Sequence, residues 1–377
     1  MPVRRPTPKP KVHGPLPPGN YISEWLGHRL FPIVRMDVRE FLGTDFGSCP
    51  FLSHALRQTT RCIKNENSLG VCTVNTSSNG PSQDWLACPY RVISSDLVRV
   101  ACARIFGKKG EEVAQPIPAT LLSIASDRDR FKAEVSEKGV GFVFFQAKLG
   151  GEISLISSPR SPEISFDVTL VEVLPDGGGF KLGRYGIFEI QTMDFHGSYK
   201  AAVGNLRDAL RLHRAGFPDS LKANMEWASE GVEGPNIANV FKRTFYQILL
   251  KFQLSGKGAA AGTVLAIPQA VWDSWQPFLG APELLKVDDS TYRIKPIDGF
   301  PSSPESNAYI CVFDLDSGAD APVSPLHVKA FIRVDAEELS HHAFKTVPSG
   351  MLKSLSESDS ILVRIKERLA NYWPEIA

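Results

Sequence analysis

One segment of the chain packs an unusual density of groups able to do chemistry. It runs Glu189-Ile190-Gln191-Thr192-Met193-Asp194-Phe195-His196-Gly197-Ser198-Tyr199-Lys200 and begins inside an apolar, strand-like stretch at residues 185–190. Asp167 stands upstream in a second such stretch, residues 164–174. Between them Pro175-Asp176-Gly177-Gly178-Gly179 is a strong turn signal. Asp167 and Glu189 are therefore expected on adjacent antiparallel strands. Two carboxylates so placed can hold a hard divalent cation such as Mg²⁺ against a phosphodiester. The strand period of two puts Glu189 and Gln191 on one face and turns Ile190 into the core, its carbonyl left as a further oxygen ligand. Gln191 can orient a water or a phosphate oxygen, but it cannot act as a general base. Glu152 is a candidate third acid.

A second constellation is made of thiols. Cys49, Cys62, Cys72 and Cys88 are clustered in a segment, residues 45–92, that is rich in Ser, Thr, Asn and Gly and shows little periodicity. That segment is expected to be loop-rich and in need of a staple, which a tetrahedral four-thiolate metal site would supply. No Cys-x-x-Cys is present, and the alternative is ordinary buried thiols. Thiolate chemistry alone points to zinc, although the same geometry suits iron. Cys102 and Cys311 sit in apolar runs and read as core residues.

At 377 residues and 43% hydrophobic residues the chain is long enough for one large domain or two ordinary ones. Lys+Arg is 42 against Asp+Glu 41, so a nucleic-acid surface would have to be local rather than a property of the whole molecule. No apolar run reaches the roughly 18 residues of a membrane span. Residues 1–18 carry Arg4, Arg5, Lys9 and Lys11 among seven prolines and have no apolar core, so they do not read as a secretory signal. The expectation is a cytoplasmic protein, where disulfides are rare.

The elements that must position these groups follow from pattern. Residues 21–27 are expected to open the fold as a short helix, and helices are expected from 97 and over 131–138. Residues 140–147 form a nearly continuous apolar run, as a strand covered on both faces would. A helix is predicted over 198–215, with Arg207, Arg211 and Arg214 along one side. Gly234-Pro235-Asn236 opens another, to about 254, whose apolar face is Phe241, Phe245, Ile248, Leu249 and Phe252. Lys242, Arg243, Gln247 and Lys251 lie off that face and could reach a phosphate backbone. Strands at 264–267, 309–315 and 328–334, a short helix at 271–278 and a closing helix at 361–372 complete an α/β reading. The expected organisation is a basic Pro-rich arm (1–20), a four-cysteine module (21–110) and a mixed-sheet domain flanked by helices (111–377).

An Asp followed by Glu-x-(Lys) on the next strand is similar to the PD-(D/E)xK nucleases. The longer blocks are more specific. The segment from Glu189 to Lys200, with Ser161-Pro162-Glu163-Ile164-Ser165-Phe166-Asp167, Glu233-Gly234-Pro235-Asn236, Val240-Phe241-Lys242-Arg243-Thr244-Phe245-Tyr246-Gln247, Ser48-Cys49-Pro50-Phe51-Leu52, Gly70-Val71-Cys72, Asp84-Trp85-Leu86 with Cys88-Pro89, and Ala266-Ile267-Pro268-Gln269, resembles the NotI family of type II restriction endonucleases. The likeness runs from near residue 21 to 373. It implies a PD-(D/E)xK nuclease core and a homodimer that needs Mg²⁺ to cut both strands of a GC-rich palindrome, GCGGCCGC or a related GGCC-centred site. It implies that Asp167, Glu189 and Gln191 form the active site and that Cys49, Cys62, Cys72 and Cys88 hold one structural iron. It also implies a cognate DNA methyltransferase in the same host. Arg184, Asp194, His196, Lys200, Lys242 and Arg243 are the candidates for reading guanine and cytosine edges or for holding phosphates. Two departures bear on the chemistry. Phe166 replaces the usual proline, and Gln191 replaces the usual lysine, leaving Lys148 and Lys200 as candidates for the missing charge. The basic arm, the Gly177–Gly179 turn and residues 215–232 also differ, which bears on the outer base pairs. Outside this family, a DNA-binding protein without nuclease function and a glycoside hydrolase using Asp167 and Glu189 are the competing readings.

Overall fold

The continuous apolar runs come together at the centre of the molecule. The computed structural model describes residues 16–31, 47–77, 82–93, 95–157, 159, 163–193, 195–296, 307–316, 321, 323–347, 361–373 and 375. Within them a nine-stranded mixed sheet runs, edge to edge, Leu284–Lys286 (β12), Thr291–Ile294 (β13), Leu326–Val334 (β15), Ala308–Leu315 (β14), Ala260–Pro268 (β11), Gly179–Ile190 (β10), Val168–Asp176 (β9), Gly141–Phe145 (β6) and Ile117–Pro118 (β5). The centre, β10–β11–β14, is parallel; β9 and β6 continue it antiparallel on one side, and β15 is antiparallel to β14 on the other. The β9–β10 hairpin pairs Asp176 with Gly179 and turns through Gly177 and Gly178, both at positive φ, as a tight two-residue hairpin turn favours.

Alternation along the central strands divides the core between the two faces of the sheet. Phe188, Ile190, Val264, Ala266, Cys311 and Phe313 face one way, against the Leu97–Phe106 helix. Leu265, Ile267, Ile310 and Val312 face the other, where Phe241, Phe245, Ile248 and Phe252 of the Ile237–Leu254 helix and Trp275 of the Gln269–Leu279 helix cover them. The molecule is a mixed α/β structure, its large mixed sheet flanked by helices. Cys102 and Cys311 are fully buried in the first of these cores, as their apolar flanks predict.

The N-terminal part departs from expectation. Residues 21–27 are not a helix: Tyr21–Trp25 is a strand (β1) in a second sheet, ordered His28–Arg29 (β2), β1, Val71–Thr76 (β3), Gln83–Leu86 (β4). All of β1 is buried, and its β-branched and aromatic residues suit that position better than a helix surface. The 45–92 segment is also more regular than its composition suggests, with the Pro50–Leu56 helix and both β3 and β4 inside it. One apolar core holds Cys49, Phe51, Leu52, Cys72, Leu86 and Cys88 together with Phe188 and Phe313, so the cysteine segment and the large sheet share an interior. Helix Lys200–His213 packs with β1 and β3 in a further core. A small hairpin, Ile153–Leu155 (β7) with Ile164–Phe166 (β8), leads into β9.

Gly186 lets the Leu97–Phe106 helix lie close on β10, because a Cβ there would stand 2.3 Å from Ile105 Cγ2. Gly186→Ala should therefore lower the thermal midpoint through overpacking, on the order of 1–3 kcal/mol. Thermal denaturation of the variant, alone and with Ile105→Ala to relieve the clash, checks this; an unchanged midpoint in the single variant contradicts it.

Candidate active site

The register of the hairpin places Val168 opposite Phe188, so Asp167, between β8 and β9, comes beside Glu189. The two residues lock each other through the backbone. Asp167 N–H donates to Glu189 Oε1 at 3.1 Å, and Ile190 N–H donates to Asp167 Oδ2 at 3.0 Å. Phe188 and Ile190 point into one core, which turns Glu189 and Gln191 to the opposite face, as the strand period requires. That face is the one covered by the Ile237–Leu254 helix.

The helix grips both side chains. Thr244 Oγ1 donates to Gln191 Oε1, and Lys251 Nζ donates to Glu189 Oε2. Lys251 is only 5% exposed, its ammonium also lies 5.9 Å from the centre of the Phe166 ring, and its carbonyl accepts from Thr263 Oγ1. The sequence reading placed Lys251 off the apolar face and within reach of a phosphate backbone. The structure corrects this: Lys251 is an interior residue paired with Glu189. Burial, with the Asp167 carboxylate beside it, pushes the Glu189 carboxyl up to about 7, against the opposing pull of Lys251 and the Asp167 N–H.

A cavity of about 210 Å³ opens in front of this pair, lined by Asp167, Glu189, Ile190, Gln191, Thr192, Arg243 and Gln247 among others. It thus brings together all three predicted catalytic residues and one predicted DNA contact, Arg243. A larger cavity, about 410 Å³, surrounds Asp127 with Arg57 and Arg130 and contains none of the predicted site residues. Lys242, His196 and Lys200 are exposed and outside the lining of the smaller cavity. So are Lys148 and Glu152, proposed from sequence as a cation and a third acid. Asp194 lies outside the described residues. Arg184 is engaged elsewhere: its backbone N–H and its guanidinium donate to Glu172, and the guanidinium lies over Phe106, well back along β10 from Glu189.

The four thiols neighbour one another. Cys49 interacts electrostatically with Cys88 and Cys62, and Cys88 with both Cys62 and Cys72, and burial pushes Cys49 up to about 11 and Cys72 and Cys88 upward. Backbone N–H groups of Leu52 and Gly70 donate to Cys49 and Cys62, both at 3.4 Å, while the Cys72 thiol itself donates to Gly70 O at 3.3 Å. Lys64, held by the carbonyls of Val71 and Ala87, adds positive charge beside Cys72 and Cys88. Burial and the Cys72–Gly70 bond favour neutral thiols here, while the N–H donors at Cys49 and Cys62 and the Lys64 ammonium would suit thiolates once a cation were bound. It is not closed around one: among the described residues no group of three or more His, Cys, Asp or Glu stands in metal-holding geometry. No helix of the described residues is long and apolar enough to cross a membrane. No protein-family model matches the chain, and no curated protein matches it.

A carboxyl whose folded value lies above its ordinary 4.5 binds its proton more tightly in the fold than in the unfolded chain. Its contribution to stability is present at low pH and is lost as pH rises from about 4.5 through about 7. In EDTA the wild-type thermal midpoint should therefore fall over that window, by a free energy on the order of 3 kcal/mol. The decline should be much smaller in Glu189→Gln. Melting curves from pH 4.5 to 8 for both proteins check this, and parallel curves contradict it.

Proposed function

We propose that the chain is a type II restriction endonuclease with a PD-(D/E)xK core, hydrolysing phosphodiesters in both strands of a GC-rich palindrome, GCGGCCGC or a related GGCC-centred site, to leave 5′-phosphate ends. The observation that carries this reading is the mutual lock of Asp167 and Glu189 at the wall of a cavity that also holds Gln191 and Arg243. Asp167, Glu189 and the Ile190 carbonyl would hold Mg²⁺. When bound, that cation supplies charge neutralisation at the phosphate and a more acidic water. Arg243 offers planar N–H donors to phosphate oxygens entering the cavity. Gln191, fixed by Thr244, hydrogen-bonds a water or a phosphate oxygen. Val240, Ile248 and Leu265 make the apolar part of the wall and limit bulk water.

A palindromic substrate calls for a two-fold homodimer, each chain supplying one site. Lys242, Arg243, His196 and Lys200 are the described candidates for contacts to the DNA. The four cysteines would hold a structural iron, with zinc as the alternative, and the cognate methyltransferase would protect the host's own sites.

Incubation of the protein with Mg²⁺ and a linear DNA containing GCGGCCGC should give double-strand cleavage. EDTA should abolish it, and Glu189→Ala should fail to cut yet still shift the DNA in a gel. Intact genomic DNA after exhaustive digestion by the wild-type protein, or cutting by Glu189→Ala, would sink the reading. Elemental analysis should find one iron or zinc per chain in the purified protein. Cys72→Ser should lose that metal and melt at lower temperature; a metal-free wild-type protein of equal stability contradicts the structural-metal assignment.

A further inference from the structure

We infer that Lys251 is a positioning residue of this site: from the Ile237–Leu254 helix its ammonium fixes Glu189 by one oxygen and offsets part of the charge of the carboxylate pair. The inference rests on the nuclease reading above. It starts from where the other cations are. Lys148 and Lys200 are exposed and outside the cavity lining, Arg184 is bound to Glu172, and Arg243, in the lining, is the cation assigned above to phosphate oxygens. Lys251, by contrast, is buried against Glu189 Oε2 and does not line the cavity. It therefore sits behind the carboxylate, where it orients Glu189 without occupying the space a phosphate would need.

The geometry of the two elements explains how one helix serves both strand positions. Glu189 and Gln191 are separated by two strand residues, roughly 6.6 Å of rise. Their partners Lys251 and Thr244 are seven helix residues apart, roughly 10.5 Å. The side chains of a helix lean toward its N-terminus, so the long Lys251 stem reaches back along the axis and closes the difference. Thr244, with its short side chain, meets Gln191 directly. The two grips thus set the spacing of the strand's two polar side chains.

A double-mutant cycle in metal-free protein at pH 8 tests the pairing. Lys251→Met strands a buried carboxylate and should lower the thermal midpoint by about 5 °C or more. Adding Glu189→Gln should recover most of that loss, because it removes the second charge. Additive losses, or no loss in Lys251→Met, overturn the proposal. Should Lys251→Met fail to fold, the double variant is compared with Glu189→Gln: pairing requires the double to be at least as stable, and a less stable double overturns it. The functional half is read below the melting temperature. Single-turnover cleavage by Lys251→Met at saturating Mg²⁺ should fall roughly hundredfold with DNA affinity in EDTA unchanged, as a misplaced reacting group predicts. Wild-type cleavage by Lys251→Met would reduce Lys251 to a structural ion pair and overturn its positioning role. Lys257→Met, on the exposed surface past the helix, is the control. If the wild-type protein cuts no DNA at all, the nuclease reading fails and with it the positioning role, while the stability cycle still decides whether Lys251 is the partner of Glu189.

Discussion

Asp167 and Glu189 meet at the seam of β9 and β10, and two carboxylates side by side in a partly dry place repel each other. The neighbouring structure compensates that repulsion at close range. Each carboxylate accepts a backbone N–H from beside the other, so the ladder itself lends partial positive charge. The Ile237–Leu254 helix brings Lys251 to the far oxygen of Glu189. With both carboxyls ionised, the net charge in this small volume is then one negative rather than two. A pair of carboxylates at the wall of a cavity, only partly satisfied by internal donors, is prepared for a cation, which is the condition the proposed hydrolysis requires.

The cysteine segment contributes to the same place through the backbone. Beyond β10 the chain is caught on two sides. Gln191 N–H continues the ladder to Ala266 O, and Met193 N–H donates to Leu86 O at the end of β4. Ala87 N–H in turn donates to Cys72 O, and Lys64 ties the carbonyls of Val71 and Ala87 together. Farther on, His196 N–H donates to Gly234 O, just before the Ile237–Leu254 helix. The loop after β10 is thus clamped between the strands that carry the thiols and the helix that carries Lys251. A metal in the proposed four-thiolate site would act on catalysis only through this clamp, by stiffening β3 and β4.

The carboxylate pair was legible from strand pattern and one turn, because both are short-range and the Gly-Gly turn fixes the register. The interior of the central sheet was legible for the same reason: a run such as 140–145 has no polar residue to place outside. Lys251 was not, although helical spacing held the clue. It stands three residues past Ile248 and seven past Thr244, which puts it on the edge of the buried stripe and not on the solvent side. A charge at such a position has to find an opposite charge across the interface, but the sequence does not say which strand faces the helix. Tyr21–Trp25 was misread for a related reason: five residues with one glutamate fit either period, and only pairing with β3 decides between them. The engagement of Arg184 with Glu172 is a tertiary fact of the same kind, since both lie on exposed-looking strand positions in the sequence.

A chain with almost equal numbers of acids and bases must segregate them if it is to hold a polyanion. Here the fold gathers several cations at one place. The strand end at Gln191, the loop through His196 and the start of the helix at Ile237 converge through the His196–Gly234 bond, and Lys200, Lys242 and Arg243 lie on the elements that leave this junction. Lys200 stands at the first turn of its helix, Lys242 and Arg243 in the second turn of theirs, and all three are exposed. Glu189 is turned inward and paired with Lys251, whereas Asp167 and Glu233, the latter next to Gly234, are exposed. The junction therefore presents three cations at its surface, with Glu189 held inside and Asp167 at the rim of the cavity. The proposed phosphodiester would meet positive charge on approach and the carboxylate wall only at the bond to be broken.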